Sequence, residues 1–177
     1  MKFRAAILLA LTAMACRGVD SAEHITPSSG MARAIEYARP ALTGGIVLEV
    51  GPAPGASIDT GLWDVRLADR AHQVLVRVDT NRGEQVGLEP EQLAPLAREM
   101  STAASLAKIV APESVLEAAN KAVRSLDPDI RPTALLLTLR DGSLLYQVLQ
   151  MCEHGQRAVE LSASDARVLR NEALAER

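Results

Sequence analysis

The sequence predicts an α+β protein built twice from one small unit, a helix followed by three antiparallel strands. Three observations carry this reading. A strand–turn–strand pattern occurs twice, 83 positions apart. A short amphipathic helical segment precedes each occurrence. Within the strands apolar residues alternate with period two, the mark of a strand buried on one face only. A self-similar spacing of this size means one module used twice.

The repeat is most explicit at its aromatic residues. Trp63-Asp64-Val65-Arg66-Leu67 leads into Val74-Leu75-Val76-Arg77-Val78, and Tyr146-Gln147-Val148-Leu149-Gln150 leads into Arg157-Ala158-Val159-Glu160-Leu161. Val65 corresponds to Val148, Val76 to Val159 and Val78 to Leu161.

In the first copy, Ser28 or Ser29 can cap a helix by accepting an unpaired first-turn N–H. Met31, Ala34, Ile35 and Ala38 then share one helical face. Pro40 ends or kinks the helix, because it lacks an N–H and clashes with the preceding turn. After Gly44-Gly45, the residues Ile46, Leu48 and Val50 alternate as a strand with those side chains inward. Pro52-Ala53-Pro54-Gly55 is a loop. Trp63, Val65 and Leu67 point inward, Asp69-Arg70-Ala71-His72 turns, and Val74, Val76 and Val78 return. Asp79-Thr80-Asn81-Arg82-Gly83 reads as a polar stop.

In the second copy, Pro112 suits a helix first turn, and Leu116, Ala119, Val123 and Leu126 form the apolar face. Asp127-Pro128-Asp129 stops the helix. Leu135, Leu137 and Leu139 alternate as a strand, and Asp141-Gly142 is a tight hairpin signal. Tyr146 and Val148 continue, Glu153-His154-Gly155 turns, and Val159 and Leu161 close the unit. The spacing of Val168, Leu169 and Ala173 predicts a terminal helix over 164–175. Between the copies Leu93, Leu96, Met100, Ala103, Ala107 and Val110 step by three and four, an amphipathic linker helix with Pro95 in its first turn.

The N-terminus reads as a secretory signal: a basic Met1-Lys2-Phe3-Arg4, an apolar Ala5–Ala15 stretch and the cleavage pattern Ala13-Met14-Ala15. Cys16 follows directly, and two readings stand side by side. One is soluble export. The other is a bacterial lipoprotein lipidated at Cys16, although that pattern prefers Leu where Ala13 stands. Signal removal takes away Lys2 and Arg4 and moves the net charge from −3 to −5. With this acidity and no basic stripe interleaved with aromatics, nucleic acid is not an expected partner. The two cysteines, Cys16 and Cys152, do not make a disulfide framework. Scarce aromatics leave a core of Leu, Val, Ile and Ala.

The stretch Val78-Asp79-Thr80-Asn81-Arg82-Gly83-Glu84, following a helix and three strands, resembles the PepSY domain. That family closes its module with a V-D-A-x-T-G-E type stretch after a Y-E-V type strand. Trp63-Asp64-Val65 and Tyr146-Gln147-Val148 occupy the strand position, and Glu117-Ala118-Ala119-Asn120-Lys121-Ala122 is similar to the family helix. The second copy departs at Leu161-Ser162-Ala163-Ser164-Asp165-Ala166, which lacks the Asp and the Gly. The first departs at Pro40 and the 52–55 loop. The resemblance covers residues 25–86 and 109–170. It implies two cystatin-like modules, each a helix on a three-stranded sheet, and a non-catalytic exported protein that modulates or inhibits a peptidase of the bacterial envelope. The expected organisation is a signal peptide over 1–15, a linker over 16–26, modules over 27–87 and 111–177, and a linker helix over 88–110. The last module includes the terminal helix.

No G-x-S-x-G, H-E-x-x-H or P-loop pattern occurs, so no catalytic residue, cofactor or metal ligand is assigned. Met151-Cys152-Glu153-His154 places soft ligands together, but His24 and His72 are isolated, and a solvated turn is the expected reading. Asp79–Gly83 is read as turn chemistry. The informative asymmetry is on the face turned away from the helices. The first copy would present Val47, Glu49, Asp64, Arg66, Leu75 and Arg77 there. The second would present Ala134, Leu136, Leu145, Gln147, Leu149 and Ala158, too apolar to leave in water. Cover is expected from Leu93, Leu96 and Met100 of the linker helix, from the first copy, or from a second chain. A one-residue slip of register would swap these faces. The sequence leaves homo-oligomerisation open. The other classes that it keeps open are a structural or assembly lipoprotein tethered through Cys16 and a small-ligand or metal carrier.

Overall fold

A computed structural model of the chain describes residues 27–124, 126, 129–153 and 155–174. The signal peptide, the 16–26 linker and Cys16 lie outside the described residues. The chain runs α1 (Pro27–Ala38), β1 (Ile46–Pro52), β2 (Leu62–Ala68), β3 (Gln73–Asp79), β4 (Glu84–Glu91), α2 (Pro95–Leu106), α3 (Pro112–Arg124), β5 (Arg131–Arg140), β6 (Ser143–Cys152), β7 (Gly155–Ser162) and β8 (Val168–Leu174). All eight strands form one antiparallel sheet in the order β4-β3-β2-β1-β5-β6-β7-β8. Each of α1 and α3 is followed in sequence by a four-stranded meander, and the two meanders join where β1 pairs with β5.

The repeated residues occupy matching places. Trp63 stands opposite Val78 and Val65 opposite Val76. Tyr146 stands opposite Leu161 and Val148 opposite Val159. All eight are buried. Met31, Ala34, Ile35 and Ala38 of α1 and Val115, Leu116, Ala119 and Val123 of α3 join the same core. Fully burying each Val, Leu or Ile contributes about 1.5–3 kcal/mol, so the helices are held by these stripes more than by intrinsic propensity. Pro40 ends α1, which continues only as a three-residue 3-10 turn. Asp141 (φ 51°) and Gly142 (φ 75°) make the β5–β6 turn in the left-handed conformation that a two-residue hairpin requires.

The structure corrects several expectations. Among the described residues the strands form one sheet, and α1 and α3 each precede four strands rather than three. Asp79–Gly83 is not a stop but the turn into β4. That strand is an exposed sheet edge, Glu-Gln-Val-Gly-Leu-Glu-Pro-Glu, and its Gly87, Pro90 and lack of burial hide the period-two signal. Val168–Leu174 is a strand, not a terminal helix. The weak helical spacing loses to pairing with β7, whose backbone groups would otherwise face water or stay unpaired. In β1 an irregularity between Val47 and Glu49 inserts Leu48 as an extra residue. Val47 and Val50 therefore face the helices, and Val47 is buried rather than on the outer face. Leu126 follows α3 and is exposed, away from the α3 core face.

Candidate binding surface on the outer sheet face

Helix α2 lies on the face opposite α1 and α3 and touches β1, β2 and β6. It therefore crosses the join between the two meanders. The side chains it buries are Ala97, Met100 and Ser101, and Leu93 just before it packs against the core. Small residues at 97 and 101 let the helix approach the sheet closely. The contact stripe is thus rotated from the expected one: Met100 is 5% exposed, whereas Leu96 is 53% exposed.

The two halves of this face differ in kind. On the first half, charges are consumed by one another. Arg66 Nε and Nη2 donate to the two oxygens of Glu91 at 2.7 and 3.2 Å, and Nη1 donates to Glu49. Gln73 Nε2 donates to Glu91 at 2.8 Å. The Arg66 hydrogen bond holds the Glu91 carboxyl below its ordinary range against the opposing effect of burial, and Glu91 in turn raises the Arg66 guanidinium. Arg77 grips Asp64 through two bonds of 2.8 and 2.9 Å. On the second half Ala134, Leu136, Leu145, Gln147 and Leu149 are half-buried and Ala158 is buried. Arg140 and Glu160 close this half with a bidentate pair at 3.0 and 2.9 Å.

Two grooves flank α2. One, about 600 Å³, lies beside its first half, with Leu48, Leu96, Met100 and Leu136 as apolar lining and Glu49, Arg66 and Glu91 as a polar side. The other, about 550 Å³, lies at its C-terminal end, lined by Leu106, Ile109, Leu145 and Leu169 with Lys108 and Arg167. Leu106 is 82% exposed. Of the residues singled out from sequence, Met100 and Leu136 meet in the first groove together with Leu96, and Leu145 lines the second. Leu93 packs to the core, and Leu149 belongs to neither groove. Leu48 was hidden by the irregularity in β1, Leu169 by the helical reading of 164–175. Leu106 was legible only as an apolar residue off the expected stripe.

The Asp79–Gly83 segment is a self-satisfied turn. Asp79 Oδ1 accepts the N–H groups of Asn81 and Arg82 at 2.9 and 3.1 Å. Gly83 has φ 72°, and a Cβ there would meet the Tyr37 hydroxyl at 3.1 Å. Cys152 ends β6 and packs partly against the core, and His154 lies outside the described residues. Among the described residues no group of three or more His, Cys, Asp or Glu side chains is arranged to hold a metal ion. No helix among them is long and apolar enough to cross a membrane.

No protein-family model and no curated protein matches the chain. Among solved structures, a protein of Clostridium difficile 630 provisionally called a lipoprotein superposes with TM-score 0.50 at 13% identity, covering 78% of this chain and 89% of that one. The C-terminal domain of Bacillus megaterium YpeB overlaps 86% of this chain and 66% of its own at 12% identity, with TM-score 0.29, too loose to inform the fold. The first likeness extends to the α+β architecture and no further.

Proposed function

We propose that the chain is a non-catalytic exported binding protein, built of two PepSY-like modules of cystatin-like type, that engages a peptidase or another protein of the bacterial envelope. The observation that carries this reading is the outer sheet face, where α2 leaves apolar grooves on both flanks while Leu96 and Leu106 remain exposed. The carboxylates and guanidiniums around the first groove are committed to one another, which suits binding an apolar segment better than acid–base chemistry. The repeated Trp63/Tyr146 register supports the two-module reading.

The test is affinity capture from an envelope extract with the wild-type protein and a Leu96→Asp, Leu106→Asp double variant. An envelope protein retained by the first and lost by the second is the expected result. If it is a peptidase, its activity should change on adding the protein. Repeated recovery of nothing, or equal recovery by both baits, removes the proposal.

A second reading, a structural or assembly lipoprotein, is supported by Cys16 directly after Ala13-Met14-Ala15 and agrees with the provisional name of the Clostridium difficile protein. Incorporation of a fatty-acid analogue that vanishes in Cys16→Ser is its test.

A further inference from the structure

We propose that the free edge of β8 joins the β8 edge of a second copy of this chain, antiparallel, about a two-fold axis at Asn171. The proposal does not rest on the binding function above.

Among the described residues the sheet ends in two unlike edges. The β4 edge carries Glu84, Glu89 and Glu91 and no cation, and Pro90 removes one backbone donor. Like charges and proline are the usual protections of an edge against strand addition. The β8 edge has neither proline nor a net charge: Val168-Leu169-Arg170-Asn171-Glu172-Ala173-Leu174. It leaves Val168, Leu169 and Leu174 exposed.

This segment is complementary to itself when reversed. A two-fold axis perpendicular to the sheet keeps both helical layers on one side, and it must then pass through a residue, because directly opposed residues share a face. With the axis at Asn171, Arg170 faces Glu172 of the other copy and Glu172 faces its Arg170. The two Asn171 side chains, each accepting from its own Arg157 Nε at 3.1 Å, meet each other. Beyond Arg170 the extra residue Leu169 shifts the faces, so the paired set is Arg170, Asn171 and Glu172. Moving the axis to Arg170 opposes two cations; moving it to Glu172 opposes two carboxylates. Opposite charges directly across strands are a favourable unit of sheet pairing. Within one chain Arg170 and Glu172 already lie on the same side, 2.6 Å apart, so each pair would join a four-charge cluster across the axis. The irregularity in β8 places Leu169 just outside that cluster. The regular contact is therefore short, and the dimer is concentration-dependent. The same chain already uses edge pairing of this kind where β1 meets β5, joining one meander to the other.

Sedimentation velocity of the purified protein over a range of concentrations tests the proposal. Wild type is expected to show a monomer–dimer equilibrium. Arg170→Glu and Glu172→Arg, each alone, should weaken it by about tenfold or more, since each replaces two attractive cross-strand pairs by repulsive ones. Arg170→Glu/Glu172→Arg together should restore it, and so should mixing the two single variants, whose charges complement only in the mixed dimer. Far-UV circular dichroism checks that each variant is folded. Register is read independently by cysteine. With Cys16 and Cys152 replaced by Ser, Asn171→Cys should oxidise to a disulfide-linked dimer, because position 171 faces itself across the axis. Ala173→Cys should not. A protein monomeric at every concentration overturns the proposal, as does a dimer indifferent to the charge exchange. Equal cross-linking at 171 and 173, or a β8 edge that binds only a different protein, overturns it too.

Discussion

Val50 of β1 lies directly opposite Leu135 of β5, and both are fully buried. This pair sits where the two meanders meet, with α1 above: α1 touches β5 as well as β1, β2 and β3. The core is therefore continuous across the join.

One cooperative unit is the expected consequence. Leu135→Ala should cost about 2–5 kcal/mol through lost burial and a residual cavity. Urea unfolding followed by Trp63 fluorescence and by far-UV circular dichroism should give coincident single transitions in wild type and variant. Two separated transitions would mean that the halves fold independently.

Helix α2 gives a sharper contrast within a single element. Met100→Ala should destabilise by about 2–5 kcal/mol, because a nearly buried side chain leaves a hole between helix and sheet. Leu96→Ala, four residues earlier and half in water, should fall within about 0.5 kcal/mol of wild type. Equal losses at both positions in thermal melts would show that the helix docks by a different face.

Tyr146 is fully buried, and its hydroxyl has no protein partner among the described residues; the same holds for Trp63 Nε1 at the matching position. Burial pushes the Tyr146 phenol up to about 12 from an ordinary value of 10.0. The neutral phenol is thus the form that the fold accepts. Between roughly pH 10 and 12 the unfolded chain ionises first, so stability is intact below that window and declines as pH rises through it. Tyr146→Phe should remove this part of the alkaline loss and leave stability at pH 7 unchanged or slightly higher, since no protein hydrogen bond is given up. A large loss at neutral pH would instead reveal an ordered water on the hydroxyl.

Glu91 predicts the opposite end of the pH scale. Its carboxyl is held below the ordinary 4.5 by hydrogen bonding to Arg66, with Gln73 assisting. A lowered carboxylate stabilises the fold above its unfolded value and loses that contribution as pH falls through the folded one. The urea midpoint should therefore drop on acidification below about pH 4.5. Glu91→Gln should flatten the drop and cost about 1 kcal/mol or less at neutral pH, as the pair is partly exposed and screened. An unchanged acid limb in the variant would assign it to other carboxylates.

Much of the fold was legible where burial imposes a period. Met31, Ala34, Ile35 and Ala38 read as one helical face because they are one, and the 83-residue correspondence of Val65, Val76 and Val78 with Val148, Val159 and Leu161 reappears as identical strand pairing. The errors fall at the sheet margins and at the irregularity in β1. β4 and β8 are mostly exposed, so no alternation marks them. Leu48 shifts the face of every residue before it by one position, a change that alternation alone cannot signal.

By itself, then, the chain determined the helical faces of α1 and α3, the pairing of β2 with β3 and of β6 with β7, and most of the core residues, since periodic burial is written locally in residue type. The tertiary structure alone decided that eight strands share one sheet, that α2 rests on Ala97, Met100 and Ser101 rather than Leu96, and which edges stay open. Those outcomes depend on how separate segments satisfy one another's backbone groups and volumes, and no local pattern encodes that.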